Sequence, residues 1–138
     1  MKIQILTDQQ NLIDGYEFVP IKDGEVDLTR FSNNECTEII ADNIIDQVPI
    51  SHVANTIKFL IEKLRMGGKL VLGGTDLRLF CKHVTNQSIG PVDANHIISQ
   101  CKSMTNLEEI ATLVASAGLK IEATNINGIH FEIFCKRQ

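Results

Sequence analysis

Apolar and polar residues change period several times along the chain, and each change marks an element. Ile3, Ile5 and Leu6 form a first short strand, and the polar stretch Thr7-Asp8-Gln9-Gln10-Asn11 after it reads as a loop. Leu12-Ile13 is a brief apolar return before the turn signal Asp14-Gly15. Glu17 to Ile21 reads as a second strand, with Pro20 favouring an edge position or the strand's end because it removes a ladder donor. Lys22-Asp23-Gly24-Glu25 is a turn, Val26-Asp27-Leu28 a very short third strand, and Thr29 to Glu35 a polar loop.

The stretch from Cys36 to Leu79 organises the rest. An apolar run, Cys36 to Ala41, precedes a segment in which Val53, Ile57, Leu60, Ile61 and Leu64 recur at helical spacing, and Lys69 to Gly73 is a second apolar run. Strand, amphipathic helix, glycine stop and strand is the signature of a βαβ unit, whose crossover is right-handed. Pro49 fits the helix approach, Ser51 is the expected N-cap, and Gly67 is the expected left-handed stop, with Lys63 and Arg65 complementing the dipole. Gly73-Gly74-Thr75-Asp76 reads as a turn capping a helix over 77–84. Asp93 is the expected cap of a helix over 94–104 that buries Ile97, Ile98, Cys101 and Met104. Thr105-Asn106-Leu107-Glu108 matches a capping box before the stripe Leu107, Ile110, Ala111, Val114 and Ala117, which Gly118 ends. The tail predicts a hairpin: Leu119, Ile121 and Ala123 alternate, Asn127-Gly128 signals a type I′ turn, and Ile129, Phe131 and Ile133 alternate back. The fold class is therefore α/β, a Rossmann-like, mostly parallel sheet with flanking helices and a C-terminal antiparallel hairpin, forming one domain over 1–138.

Composition narrows the function. A net charge of −4 with no basic run speaks against nucleic acid and anionic membrane surfaces as partners. No apolar run approaches membrane-spanning length. Cys36, Cys81, Cys101 and Cys135 stand far apart without a C-x-x-C pair, and three lie in apolar segments, which suits buried thiols in a reducing, cytoplasmic setting. His52, His83, His96 and His130 have neither metal spacing nor a paired nucleophile, so no metal is expected. No phosphate-cradling loop or serine-hydrolase elbow is present.

Taken in order, the chain resembles the class I S-adenosylmethionine-dependent methyltransferases, in particular their minimal members. Glu38 to Pro49 is similar to that family's fourth strand and following segment, with Ile45-Asp46-Gln47 where the family often carries Leu-Glu-His. Leu64-Arg65-Met66-Gly67-Gly68-Lys69-Leu70-Val71-Leu72 resembles the Leu-Lys-Pro-Gly-Gly turn into the fifth strand, with Met66 for proline. Ala117-Gly118-Leu119 and the hairpin resemble the closing helix and last two strands. Ile13-Asp14-Gly15-Tyr16 and Val26-Asp27-Leu28 resemble the lead-in to the second strand and the third strand.

The resemblance implies a nucleotide-type cofactor, S-adenosylmethionine, held by residues at Thr7, Asp8, Asp27, Leu28, Asp42 and Asn43. Asp42 and Asn43 would lie at the carboxyl end of a central strand, where open α/β sheets take ligands. Alternatively either one caps the next helical turn. Asp27-Leu28 would lie beside the adenine, or else be a strand end with a solvated carboxylate. Thr7-Asp8 would stand where the family has glycines, or form an ordinary loop with a capping carboxylate.

Two family features are missing. Thr7 to Asn11 contains no glycine to let a cofactor approach the backbone, and Pro20 stands where the ribose-binding carboxylate belongs. The loop between the first two strands is also too short for the usual helical crossover.

Three functional readings result. The first is a methyltransferase-like protein with a degenerate pocket, acting as a binding, regulatory or structural module. The second is an active methyltransferase with a non-standard cofactor loop, since methyl transfer is mostly a matter of positioning. The third is an unrelated Rossmann-like ligand-binding domain. Phe18 and Val19 beside Pro20, together with the missing first helix, predict an apolar face covered by a homo-oligomer or a protein partner.

Overall fold

A computed structural model describes all 138 residues, Met1–Gln138. The strands are β1 Lys2–Leu6, β2 Glu17–Lys22, β3 Glu25–Val26, β4 Cys36–Ala41, β5 Leu64–Thr75, β6 Leu119–Asn127 and β7 His130–Arg137. The helices are α1 Val53–Lys63, α2 Leu77–Thr85, α3 Pro91–Gln100 and α4 Leu107–Ser116. All seven strands form one sheet in the order β3-β2-β1-β4-β5-β7-β6. β2, β1, β4 and β5 pair in parallel, whereas β3 and β7 run against their neighbours. The sheet is therefore mixed: three of its six pairings are parallel, fewer than the sequence pattern implies.

One face of the sheet carries the core. Ile3 and Ile5, Ile39 and Ala41, Leu70 and Leu72, and Ile133 and Cys135 pack there with Val53, Ile57, Leu60 and Ile61 of α1 and with Ile110 and Val114 of α4. Their period of two along strands and of three to four along helices is what brings these residues together. Cys36 and Cys135 are buried in this cluster, and all four thiols are free. Burial raises the Cys135 thiol to about 12.

Several elements depart from the pattern for identifiable reasons. Asp23 and Gly24 both take positive φ (51° and 78°), the geometry of a two-residue hairpin turn. So tight a turn reverses the chain, which makes β3 antiparallel and leaves Asp27 and Leu28 outside it. Ser51 does not cap α1. It lies inside a 3-10 turn, Ile50–His52, and His52 takes the cap position without a side-chain bond. α1 ends at Lys63, and Gly67 (φ 79°) instead shapes a bulge in β5 between Leu64 and Lys69. The last carbonyls of α1 are satisfied from elsewhere: Asn34 N–H donates to Glu62, and the Arg137 guanidinium donates to Ile61 and Leu64.

Gly73, Gly74 and Thr75 belong to β5 rather than to a turn, and Asp76 caps α2 by accepting from Leu79 N–H at 2.9 Å. Gly90-Pro91 starts α3 three residues before the expected point, because proline suits the first helical position. α3 then stands largely in solvent. Ala94 is its buried residue, while Ile98 is 54% and Val92 83% exposed. The cap of α4 is Asn106, accepting from Glu109 N–H, one residue later than the expected box. In the closing hairpin Asn127 pairs with His130, so the turn residues are Gly128 and Ile129, and a bulge after Ile121 interrupts the alternation in β6.

Candidate functional site

The direction of chain travel reverses beside β1, with β2 on one side and β4 on the other. This is the switch point where open α/β sheets form a ligand crevice beyond the carboxyl ends of their strands. Thr7 and Asp8 leave β1 there, and Asp42 and Asn43 leave β4. The fold thus brings these four residues to one edge of the sheet.

Their side chains do not converge. Asp8 is exposed and accepts from Gln10 N–H at 2.9 Å, which closes its own loop. Thr7 is exposed as well. Asn43 is exposed with φ of 60°, a left-handed conformation that asparagine tolerates. Neither Asp42 nor Asn43 caps the 3-10 turn Ile45–Gln47, which begins at Ile44 without a side-chain bond. Asp42 leans away from β1, across β5. A Cβ on Gly73 would collide with Asp42 Oδ1, so the absence of a side chain at Gly73 is what lets the carboxylate rest there.

Beyond Gly73, Asp42 meets Glu132 of β7. Burial is the largest cause raising the Asp42 carboxyl to about 6, followed by the charge and hydrogen bond of Glu132. Asp27 and Leu28 lie elsewhere. Asp27 is exposed and accepts from the Thr29 backbone at 3.0 Å and hydroxyl at 2.6 Å, which lowers its pKa. Leu28 is buried with the core. An open cleft of about 440 Å³ beside Asp27 is lined by Pro20, Lys22, Glu25 and Val26.

The carboxyl end of β5 is built differently. Asp46, Thr75, Asp76, Ser103, Thr105 and Asn106 are all buried there. The Asp46 carboxylate accepts from the Thr75 backbone at 2.7 Å and from its hydroxyl at 2.6 Å. Asp46 O accepts from Lys102 N–H, and Ser103 Oγ donates to Ile45 O. Asp76 holds both α2 and α4, accepting from Leu79 N–H and Leu107 N–H. His130 Nδ1 stands 3.5 Å and Cys101 Sγ 4.0 Å from Thr75 Oγ1. Gly74 serves this knot, since a Cβ there would meet Asp46 Oδ1 at 3.0 Å and Ile45 at 3.2 Å. The glycine pair thus makes room for the chain's own side chains instead of forming the expected turn.

Sequence reasoning missed this cluster. Asp46 registered as a departure from a family motif, although a lone carboxylate among Ile44, Ile45 and Val48 is itself a signal that something polar waits for it. Beside the knot, an apolar groove of about 460 Å³ runs between Ile50, Leu77, Phe80, Ile98 and Met104. No group of three or more His, Cys, Asp or Glu side chains is placed to hold a metal.

No protein-family model and no curated protein matches the chain. Solved structures do. A SAM-dependent methyltransferase from Archaeoglobus fulgidus superposes with a TM-score of 0.61 at 10% identity, over 89% of this chain and 68% of that one. One from Methanosarcina mazei gives 0.59 at 15% identity, over 93% and 70%. One from Thermotoga maritima gives 0.58 at 12% identity, over 90% of this chain and only 65% of the other, so this chain spans less than two thirds of that protein's length. The chain has a class I S-adenosylmethionine methyltransferase-like fold, and no helix in it is long and apolar enough to cross a membrane.

Proposed function

We propose that this chain is a methyltransferase-like protein whose cofactor grip has been dismantled, and that it works as a non-catalytic binding or structural module. One observation carries the reading: each carboxylate that the resemblance assigns to S-adenosylmethionine is engaged elsewhere. Asp8 and Asp27 close their own turns, and Asp42 lies over Gly73 toward Glu132. Leu28, where the resemblance puts a wall of the adenine pocket, is packed in the core instead. Pro20, which lies inside β2 level with Leu6 rather than at the strand's end, offers no acceptor for ribose hydroxyls. The residues present therefore do not fit the cofactor.

The β1–β2 connection supports the same reading. Gln4 donates to Asn11 O at 3.3 Å and accepts from Ile13 N–H at 2.8 Å, which folds the loop back onto the sheet. A loop held this way is not free to wrap a ligand. The strand order, with the reversed β7 between β5 and β6, also favours methyltransferase ancestry over an unrelated Rossmann-like domain.

Calorimetric titration with S-adenosylmethionine and with its demethylated product tests the proposal. The expected result is no saturable heat and no thermal shift at millimolar ligand. Saturable binding of either compound would restore the alternative, an active methyltransferase with a non-standard cofactor loop.

A further inference from the structure

The helices that pack on strands, α1 and α4, lie on the core side of the sheet. On the opposite face the β1–β2 loop folds over β1, and Asp46 and Cys101 reach Thr75 at the carboxyl end of β5. Three rows of side chains cross that face. The first follows the register Lys2, Glu38, Lys69, Lys136 and Lys120 over β1, β4, β5, β7 and β6. The next is Gln4, Ile40, Val71, Phe134 and Ala123, in which Ile40 and Val71 are half-buried and Phe134 is 36% exposed. The third holds Gly73 and Glu132 with the Asp42 carboxylate laid over Gly73.

The charges on this face are unbalanced. Lys69, Lys136 and Lys120 are direct cross-strand neighbours, and like charges placed so repel one another. Glu38, the carboxylate of that row, is already engaged by Lys2 at 3.8 Å and by the Tyr16 hydroxyl. At the other end Asp42 and Glu132 crowd each other, and neither takes part in an ion pair. A cationic end and an anionic end thus flank an apolar row at equal spacing. Along β7 the order is Lys136, Phe134, Glu132, two residues apart each time.

We propose that this face docks a second copy of the chain about a two-fold axis that crosses the strands through the Val71–Phe134 row. Such an axis reverses strand direction between copies while keeping the row on itself. Lys136 of one copy then lies over Glu132 of the other, and Lys69 over Asp42, while Phe134 and Val71 stack on their counterparts. Face-to-face sheets about 10 Å apart and within about 30° of alignment meet this requirement. Closed symmetry of this kind makes each contact twice, so both charge clusters are neutralised together. The rows span roughly 400 Å² per copy at ordinary strand spacings, a small interface whose dimer forms and dissociates with concentration.

Sedimentation equilibrium from about 1 to about 500 μM, with circular dichroism as a folding control, tests this. The wild-type chain is expected to shift from monomer to dimer across that range. K136E and E132K each place like charges face to face and are expected to weaken the dimer at least about tenfold. The double variant K136E/E132K restores opposite charges across the axis and is expected to recover the dimer. A wild-type chain that stays monomeric throughout overturns the proposal. So does a dimer that both single reversals leave intact, or a double variant that folds and does not recover.

Discussion

The carboxyl ends of β4 and β5 are neighbours in one sheet, yet they are finished in opposite ways. Beyond β4 the polar side chains are exposed or half-buried: Asn43 stands in solvent and Asp42 is pressed against the like charge of Glu132. Beyond β5 six polar residues are buried, and their hydrogen bonds tie the segment after β4 to the start of α2 and α4. Ligand crevices in such sheets depend on polar groups left available at the first place. Here such groups are at the second, where all but the Thr105 hydroxyl are consumed by closing the fold.

The largest test of that contrast is Asp46→Ala. It leaves the Thr75 N–H buried without an acceptor and removes a charge-assisted bond, so an expected loss of about 3 kcal/mol should appear in urea unfolding. A loss below about 1 kcal/mol would mean the β5 knot is not what holds this end together. Next comes Asp42→Asn, assayed where the chain is monomeric. The folded chain holds the Asp42 proton more tightly than the unfolded chain does, with a pKa of about 6 against an ordinary 3.8. Stability is therefore complete below about pH 4, falls as pH rises toward 6, and stays reduced above it. The variant should match wild type at pH 4 and exceed it by about 1 kcal/mol at pH 7, the figure being discounted for the solvent that reaches this half-buried group. Equal stability at both pH values would sink the crowding argument. The smallest effect is expected for Asp8→Ala, within about 0.5 kcal/mol, because that carboxylate serves one exposed turn.

Much of the fold was legible because burial imposes a period. The stripes of α1 and α4, the alternation of β7 and the glycine after α4 all read directly. What escaped lay where a local preference met a constraint from another element. Ser51 is a good cap by type, but the chain tightens into a 3-10 turn before α1 begins. Gly67 has the φ of a helix stop and is used in a strand bulge, since Arg137 and Asn34 reach the end of α1 first. The exposed α3 defeated the expectation that Ile98 faces inward. At the site, position was legible and orientation was not. Thr7, Asp8, Asp42 and Asn43 do gather at the switch point, but Asp42 turns toward Glu132, a residue of a strand 90 positions on that no local pattern links to it. Asp46 carried no period to betray its role.

β7 follows β6 in the chain yet lies between β6 and β5, and its Arg137 reaches back to the end of α1. While the polypeptide is being synthesised, the slot it will fill stays open, with ladder groups unpaired on both sides. Residues 130–137 must therefore be delivered before β6 has any partner, and until then the free side of β5 is an unpaired edge of the kind that invites aggregation.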